Sequence, residues 1–302
     1  MMEWFICPDK QIVPVKDCLS SCRMDERCLT LPTLHSISEE RVWAGQPSTT
    51  QLLNGTMMEY LKLTVPYAID PDSRAFALLG STHHHWLSDM AKKLSLPSEI
   101  AMTIDRDIFD LLEPGEDSVV GNETWILTDY KTWGSYRVAK ALGMVEVGKQ
   151  PDPSGERYKS SGKWGKAGDP KMVPIFQRDA GRVDLWETEL QLNRYRIMLE
   201  ERGIRISRMQ IQITVRDGGL QVAHGRGIAR NMYMVPIRRL DDGYVISYFE
   251  HKRDVLLECL EQHHPPASPC DVRESWEGAR CKGYCDVSFS CPKGMLYAKE
   301  AK

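Results

Sequence analysis

Two groups of four cysteines, one near each end of the chain, place the strongest constraint on how this sequence can fold. The spacing is x10, x3 and x5 in both groups, which are Cys7, Cys18, Cys22 and Cys28 at the start and Cys270, Cys281, Cys285 and Cys291 at the end. Four thiolates are a suitable ligand set for tetrahedral Zn²⁺ or for a [4Fe–4S] cluster. Cys259 stands outside both groups and is expected to be a buried thiol.

Length and composition are those of a protein with a substantial buried core. The chain has 302 residues, of which 42% are hydrophobic, and its formal net charge is −3. No apolar run approaches the roughly 20 residues that a membrane helix needs, and no secretory signal is readable over residues 1–10. We therefore expect a cytoplasmic protein that makes no membrane contact, whose cysteines bind metal or stay reduced instead of forming disulfides.

Changes in composition along the chain predict three parts. Residues 1–45 form a cysteine-rich, loop-like metal-binding segment, residues 46–262 form the core, and residues 263–302 carry the second cysteine group packed on that core. A stretch rich in Gly, Pro, Ser and Lys at 145–182 interrupts the core and is expected to be a long loop insertion.

Hydrophobic periodicity predicts a mixed α/β core, with helices flanking a central sheet. The expected helices include 75–96, after a helix start at Ser48, and 184–202. Strands are expected at 100–104 and 124–130, joined by an acidic connection, and at 209–215 and 243–249.

One of these strands carries a pair of residues suited to phosphodiester hydrolysis. Asp129 and Lys131 are two apart, so on a strand both side chains point to the same face. Carboxylates hold hard cations such as Mg²⁺ or Mn²⁺, and a lysine can position a water and stabilise developing charge. Such a pair alone is more often the wet face of a strand than a site.

Other motifs in order make the pair more specific. They are Gly80-x3-His84, Thr103-Ile104-Asp105, Asp129-Tyr130-Lys131-Thr132 and Gln191-x3-Tyr195. Together, over about 48–249, they resemble the RecB-like branch of the PD-(D/E)XK nucleases, which includes the iron–sulfur exonucleases associated with CRISPR adaptation and their phage relatives. The resemblance implies a restriction-endonuclease-like core.

The resemblance also implies roles for individual residues. Cation ligands would come from His84, Asp105 and Asp129, with the carbonyl of Tyr130, and Lys131 would be the catalytic lysine. Gln191 and Tyr195, which share one helix face, would steady the site or contact DNA.

Two departures from the family pattern leave alternatives open. The Gly that usually opens the Thr-x-Asp motif is Met102 here, so Asp107 and Asp110 rival Asp105 as the first carboxylate. The triplet at 83–85 makes the choice of histidine uncertain by one position.

The cysteines leave two arrangements open. The resembling family ligates a [4Fe–4S] cluster with three late cysteines and one early cysteine, at a position that corresponds to Asn54-Gly55, where this chain has none. The arrangement favoured by the resemblance is a shared cluster made by Cys28, Cys281, Cys285 and Cys291. The matched spacing favours two separate four-cysteine sites, zinc in front and iron–sulfur behind, which would also use Cys7, Cys18, Cys22 and Cys270.

The function expected from these features is that of a Mg²⁺- or Mn²⁺-dependent DNA exonuclease acting on single strands or duplex ends. Lysines of the insertion, with Tyr158 and Trp164 among them, suit contact with single-stranded DNA; these are Lys159, Lys163, Lys166 and Lys171. Partners from recombination or CRISPR-adaptation-like systems and an oligomeric state are compatible with this function. The alternative is a non-catalytic, metal-stapled module that binds DNA or a partner in recombination or repair.

Overall fold

The computed structural model describes residues 1–40, 42–103, 107–162 and 165–300. Its strands are β1 (Met2–Ile6), β2 (Ile12–Pro14), β3 (Tyr67–Ile69), β4 (Ser98–Ala101), β5 (Ile108–Pro114), β6 (Trp125–Trp133), β7 (Met144–Pro151), β8 (Met172–Arg178), β9 (Ile206–Val215) and β10 (Met232–Ile237). Its helices are α1 (Val15–Ser20), α2 (Leu31–Ser38), α3 (Thr49–Leu53), α4 (Thr56–Thr64), α5 (Ala75–Lys93), α6 (Ser135–Leu142), α7 (Trp186–Glu200), α8 (Gln221–His224), α9 (Asp242–Glu261), α10 (Ala279–Gly283) and α11 (Pro292–Glu300). Within these described ranges, none of the helices combines the length and the apolar character needed to cross a bilayer.

A mixed five-stranded sheet with helices on both faces forms the body of the protein, as the periodicity predicted. The strand order is β10-β9-β6-β5-β4, in which β6 and β9 are parallel and the other neighbours are antiparallel. Side chains alternate between the two faces of a strand. Leu127 of β6 is fully buried in the same cluster as Leu192 of α7, whereas Tyr130 packs with Ala91 of α5. Helices α5 and α7 therefore cover opposite faces of β6.

The expectation of a loop-like start was wrong. Strand β1 pairs antiparallel with β2 and parallel with β3, and this small sheet leads into α1 and α2. The predicted helix start at Ser48 is confirmed, because its hydroxyl accepts from the backbone N–H of Gln51 in a capping box.

Two other expectations about the core were also wrong. The acidic connection after residue 104 contains a full strand, β5, which pairs with both β4 and β6. The expected strand at 243–249 is the first part of α9. The Asp241 side chain accepts from Tyr244 N at 2.8 Å and starts that helix, so this cap decides against a strand.

The insertion is an ordered two-stranded hairpin, not a loop. Strands β7 and β8 pair antiparallel from Met144 with Arg178 to Pro151 with Met172. Gly143, at φ 63°, ends α6 directly before the hairpin, and a Cβ there would lie 2.2 Å from the carbonyl oxygen of Asp179. Lys163 and Trp164, predicted to contact DNA, lie outside the described residues.

Candidate active site

Three acidic residues lie in register on the three neighbouring strands β4, β5 and β6. Glu99 falls between the pairs Ser98–Leu111 and Ile100–Phe109, which places it opposite Asp110. The β5–β6 ladder ends at Leu111 and Thr128, and the next residues in register are Asp110 and Asp129. The backbone N–H of Tyr130, just beyond that point, donates to Asp110 Oδ2 at 2.6 Å instead. The two strands thus part where their carboxylates meet.

The Asp129 and Lys131 pair forms a buried network with helix α7. Lys131 Nζ lies 2.7 Å from Asp129 Oδ2 and donates to Gln191 Oε1 at 3.1 Å. The amide nitrogen of Gln191 in turn donates to Asp129 Oδ1 at 3.3 Å. Asp129 is only 4% exposed, so the wet-surface explanation of this pair does not apply. Gln191 holds the ammonium and the carboxylate in a fixed relation.

Of the three consecutive histidines, His84 faces the carboxylates. Its Nδ1 lies 3.3 Å from Asp110 Oδ2 and 3.9 Å from Glu99 Oε1. His83 instead contacts the Thr214 hydroxyl at 3.3 Å, and His85 is exposed beside Asp89. Burial opposes a charge on the His84 ring, but hydrogen bonds to Asp110 and Glu99 outweigh it and raise the pKa of His84 to about 10.

The donor set fits a divalent cation. Ligand atoms of His84, Glu99 and Asp110 all lie within 4.8 Å of one another. Asp129 Oδ2 is shielded from solvent and, among the described residues, makes an ion pair but no hydrogen bond. Burial raises the pKa of Asp129, Lys131 opposes this, and the neighbouring Asp110 raises it further. Carboxylate oxygens with one imidazole suit Mn²⁺ or Mg²⁺, and such an ion would relieve the repulsion between these acids.

The other predicted residues take varied positions. Asp105 lies outside the described residues. Of its two rivals, Asp110 joins the cluster, whereas the buried Asp107 accepts from Thr49 N at 2.7 Å at the start of α3. Tyr195 is buried next to Gln191, and burial raises its pKa above the usual range. Tyr130 directs its ring towards His84, with ring centroids 6.0 Å apart.

Glu99 is the residue that sequence reasoning missed. It adopts φ 53°, a left-handed conformation that is uncommon for a residue with a side chain and that is often retained at functional sites. Its position opposite Asp110 depends on the β4–β5 register, which no local pattern reveals. The available signal was its place in a short strand directly before the acidic stretch.

The four late cysteines line one pocket. Cys270, Cys281, Cys285 and Cys291 surround it, together with Arg280 and Lys293. Lys293 Nζ donates to the carbonyl oxygen of Cys270 at 2.6 Å. A Cβ on Gly55 would lie 2.1 Å from Cys270 Sγ, so a glycine is required there. Four thiols beside cationic side chains fit an anionic metal–thiolate centre.

The favoured shared cluster is therefore not the arrangement found. Cys270, not Cys28, accompanies the three last cysteines, whereas Cys28 interacts electrostatically with Cys18, as do Cys7 and Cys22. The physical reason is the small sheet of β1, β2 and β3, which gives the early cysteines a fold of their own. Cys259 is half-buried and stays outside both groups.

Comparisons with known proteins identify no family for this chain. No family model matches, and no curated protein matches either. The solved structure of SSO0001 is similar over 86% of this chain and 92% of its own, with 15% sequence identity and a TM-score of 0.41.

Proposed function

We propose that this protein is a metal-dependent DNA nuclease with a core of the PD-(D/E)XK type. The observation that carries the proposal is the convergence of His84, Asp110, Asp129 and Lys131, from one helix and two strands, beside Gln191. The order and spacing of these residues follow the resemblance in the sequence, with Asp110 taking the place expected for Asp105.

The chemistry assigns a role to each group. Asp110, Asp129 and His84 would hold one or two Mg²⁺ or Mn²⁺ ions, with Glu99 within reach. The bound cation supplies charge neutralisation at the phosphate and promotes deprotonation of water. Lys131 Nζ positions the attacking water and stabilises negative charge developing on the phosphate. Gln191 fixes the direction of that ammonium through its hydrogen bond.

The late cysteine pocket would hold a structural metal centre. By the resemblance this would be a [4Fe–4S] cluster, with Zn²⁺ as the other candidate for four thiolates. Cys270 Sγ lies against Gly55, the position where the resembling family has its early cysteine, so Cys270 would supply the missing ligand. The centre would join the end of the chain to α4 and leave the chemistry to the carboxylates.

A cleavage assay on end-labelled single- and double-stranded DNA tests the proposal. We expect degradation with Mn²⁺ or Mg²⁺ and none with EDTA. Lys131→Ala and Asp129→Asn should lower the rate by about 10²–10⁴-fold while circular dichroism shows an intact fold. His85→Ala is the matched control for His84→Ala, because His85 is exposed and its only ionic partner among the described residues is Asp89. DNA binding without cleavage at any cation concentration would favour the non-catalytic module.

A further inference from the structure

The early cysteines form a second site whose local structure repeats that of the late group. Cys18 lies within α1 and Cys281 within α10, and Cys22 and Cys285 each follow two residues after the helix ends. The backbone N–H before the third cysteine bonds to the carbonyl before the second at 2.9 Å in both, Ser21 to Asp17 and Tyr284 to Arg280. The repeat thus extends from spacing to backbone geometry.

The fourth cysteines also take similar positions. Cys28 lies three residues before α2, which begins with Leu31 and Pro32, and Cys291 directly precedes α11, which begins with Pro292. Only the first ligand comes from a different element, since Cys7 sits in the turn between β1 and β2, where its N–H bonds to Gln11 O at 2.8 Å. The two groups can therefore present their sulfurs in a similar way.

The four early sulfurs are close together and have cationic neighbours. Cys18 interacts electrostatically with each of Cys7, Cys22 and Cys28. The guanidinium of Arg27 donates to the carbonyl oxygens of Cys18 at 2.6 Å and Leu19 at 3.1 Å. It thereby lies beside the group, where a positive charge favours thiolate over thiol.

Residues 1–40 have little else to hold them in a fixed structure. Their buried apolar side chains are Phe5, Leu34 and Cys7 itself, and Ile69 of β3 completes the cluster. A core this small does not offset the conformational entropy of ordering forty residues. Small domains of this kind commonly depend on a metal bound by thiolates.

We propose that Cys7, Cys18, Cys22 and Cys28 form a metal site of their own, which takes a thiophilic centre, Zn²⁺ or an iron–sulfur cluster, and maintains the fold of residues 1–40. This site is separate from the late cysteine pocket and from the carboxylates. It does not rest on the proposed nuclease function.

Metal analysis of the full chain, purified anaerobically, tests the proposal without any cleavage assay. We expect zinc, iron and sulfide totals that correspond to two centres per chain, and the ratio of zinc to sulfide distinguishes the two kinds of centre. Cys18→Ser with Cys22→Ser should remove one centre, and Cys281→Ser with Cys285→Ser the other. Cys259→Ser, the matched control, should remove neither. A wild-type chain with one centre, or full metal content in the Cys18 and Cys22 variant, would overturn the proposal.

Thiol alkylation of the wild-type protein gives an answer even if the variants fail to fold. Mass spectrometry after brief native alkylation should show Cys7, Cys18, Cys22 and Cys28 protected, and their reactivity should appear when a chelator or acid removes the metal. Trypsin should then also cut within 1–40, which it leaves intact before metal removal. Early cysteines that react natively as fast as in denatured protein would refute the site.

Discussion

Cation binding at the carboxylates should release a proton from His84 and therefore depend steeply on pH. Without a cation, Asp110 and Glu99 outweigh the effect of burial and raise the pKa of His84 to about 10. A metal ion requires the neutral ring, so one proton must leave at any pH well below that value. Apparent Mn²⁺ affinity should increase about tenfold per pH unit, or about 30-fold and about 2 kcal/mol between about pH 7 and about pH 8.5.

Calorimetric titration with Mn²⁺ in two buffers of different ionisation enthalpy counts the released protons directly. We expect about one proton for the wild type from this linkage. His84→Gln should bind Mn²⁺ more weakly, with close to no proton release and little change of affinity with pH. His85→Gln, altered at a side chain that is 79% exposed, should match the wild type. A flat pH dependence in the wild type, or the same slope in His84→Gln, would refute the reasoning.

Three further predictions concern stability, the late cysteines and DNA binding. Asp107→Ala leaves the buried N–H of Thr49 without its acceptor, so urea unfolding should show a decrease in stability of about 1–3 kcal/mol while cleavage persists; a folded variant that no longer cleaves DNA would contradict the capping role. Gly55→Ala places a Cβ 2.1 Å from Cys270 Sγ and should lower metal content by one centre, whereas Gly283→Ala, with open space around it, should not. Alanine at the exposed Lys149, Lys159 and Lys166 of the hairpin should weaken DNA binding and reduce the slope of log K against log salt by up to about 0.9 for each phosphate that the variant no longer neutralises; an unchanged slope would exclude the hairpin from the DNA interface.

Local patterns were sufficient to predict the elements that carry most of the site. The alternation around Asp129 and Lys131 predicted a strand, and β6 extends over both residues. The apolar spacing after residue 75 predicted a helix, and α5 presents His84 from its middle turns. Both predictions depend on periodicities of 2.0 and 3.6 residues, which are properties of single elements.

The choice among the acids could not be made in the same way. Residues 108–114 contain Asp110 and Glu113 among apolar residues, and the acidic stretch around them was interpreted as a connection, which hid β5. With β5 unrecognised, Asp110 had no strand to bring it to Asp129, and Glu99 had no neighbour at all. Pairing register depends on contacts between separate strands, and it is register that places these three acids together.

The cysteine spacing predicted the right number of ligands but not their grouping. Identical spacings were compatible with one shared site or two separate ones. The β1–β3 pairing, which joins residues about sixty positions apart, gives Cys28 its neighbours and leaves Cys270 to the late group. Such a long-range pairing has no local signature in the sequence.

The contact between Gly55 and Cys270 has a consequence for folding during synthesis. These residues are 215 positions apart in the chain, yet the late cysteine pocket packs on Met58 of α4. As the ribosome makes the protein, α4 emerges early and keeps an apolar side uncovered until the last cysteines follow it. Translation of the end of the message thus coincides with closure of the domain, and a nascent chain stalled before Cys291 would be a substrate for chaperones.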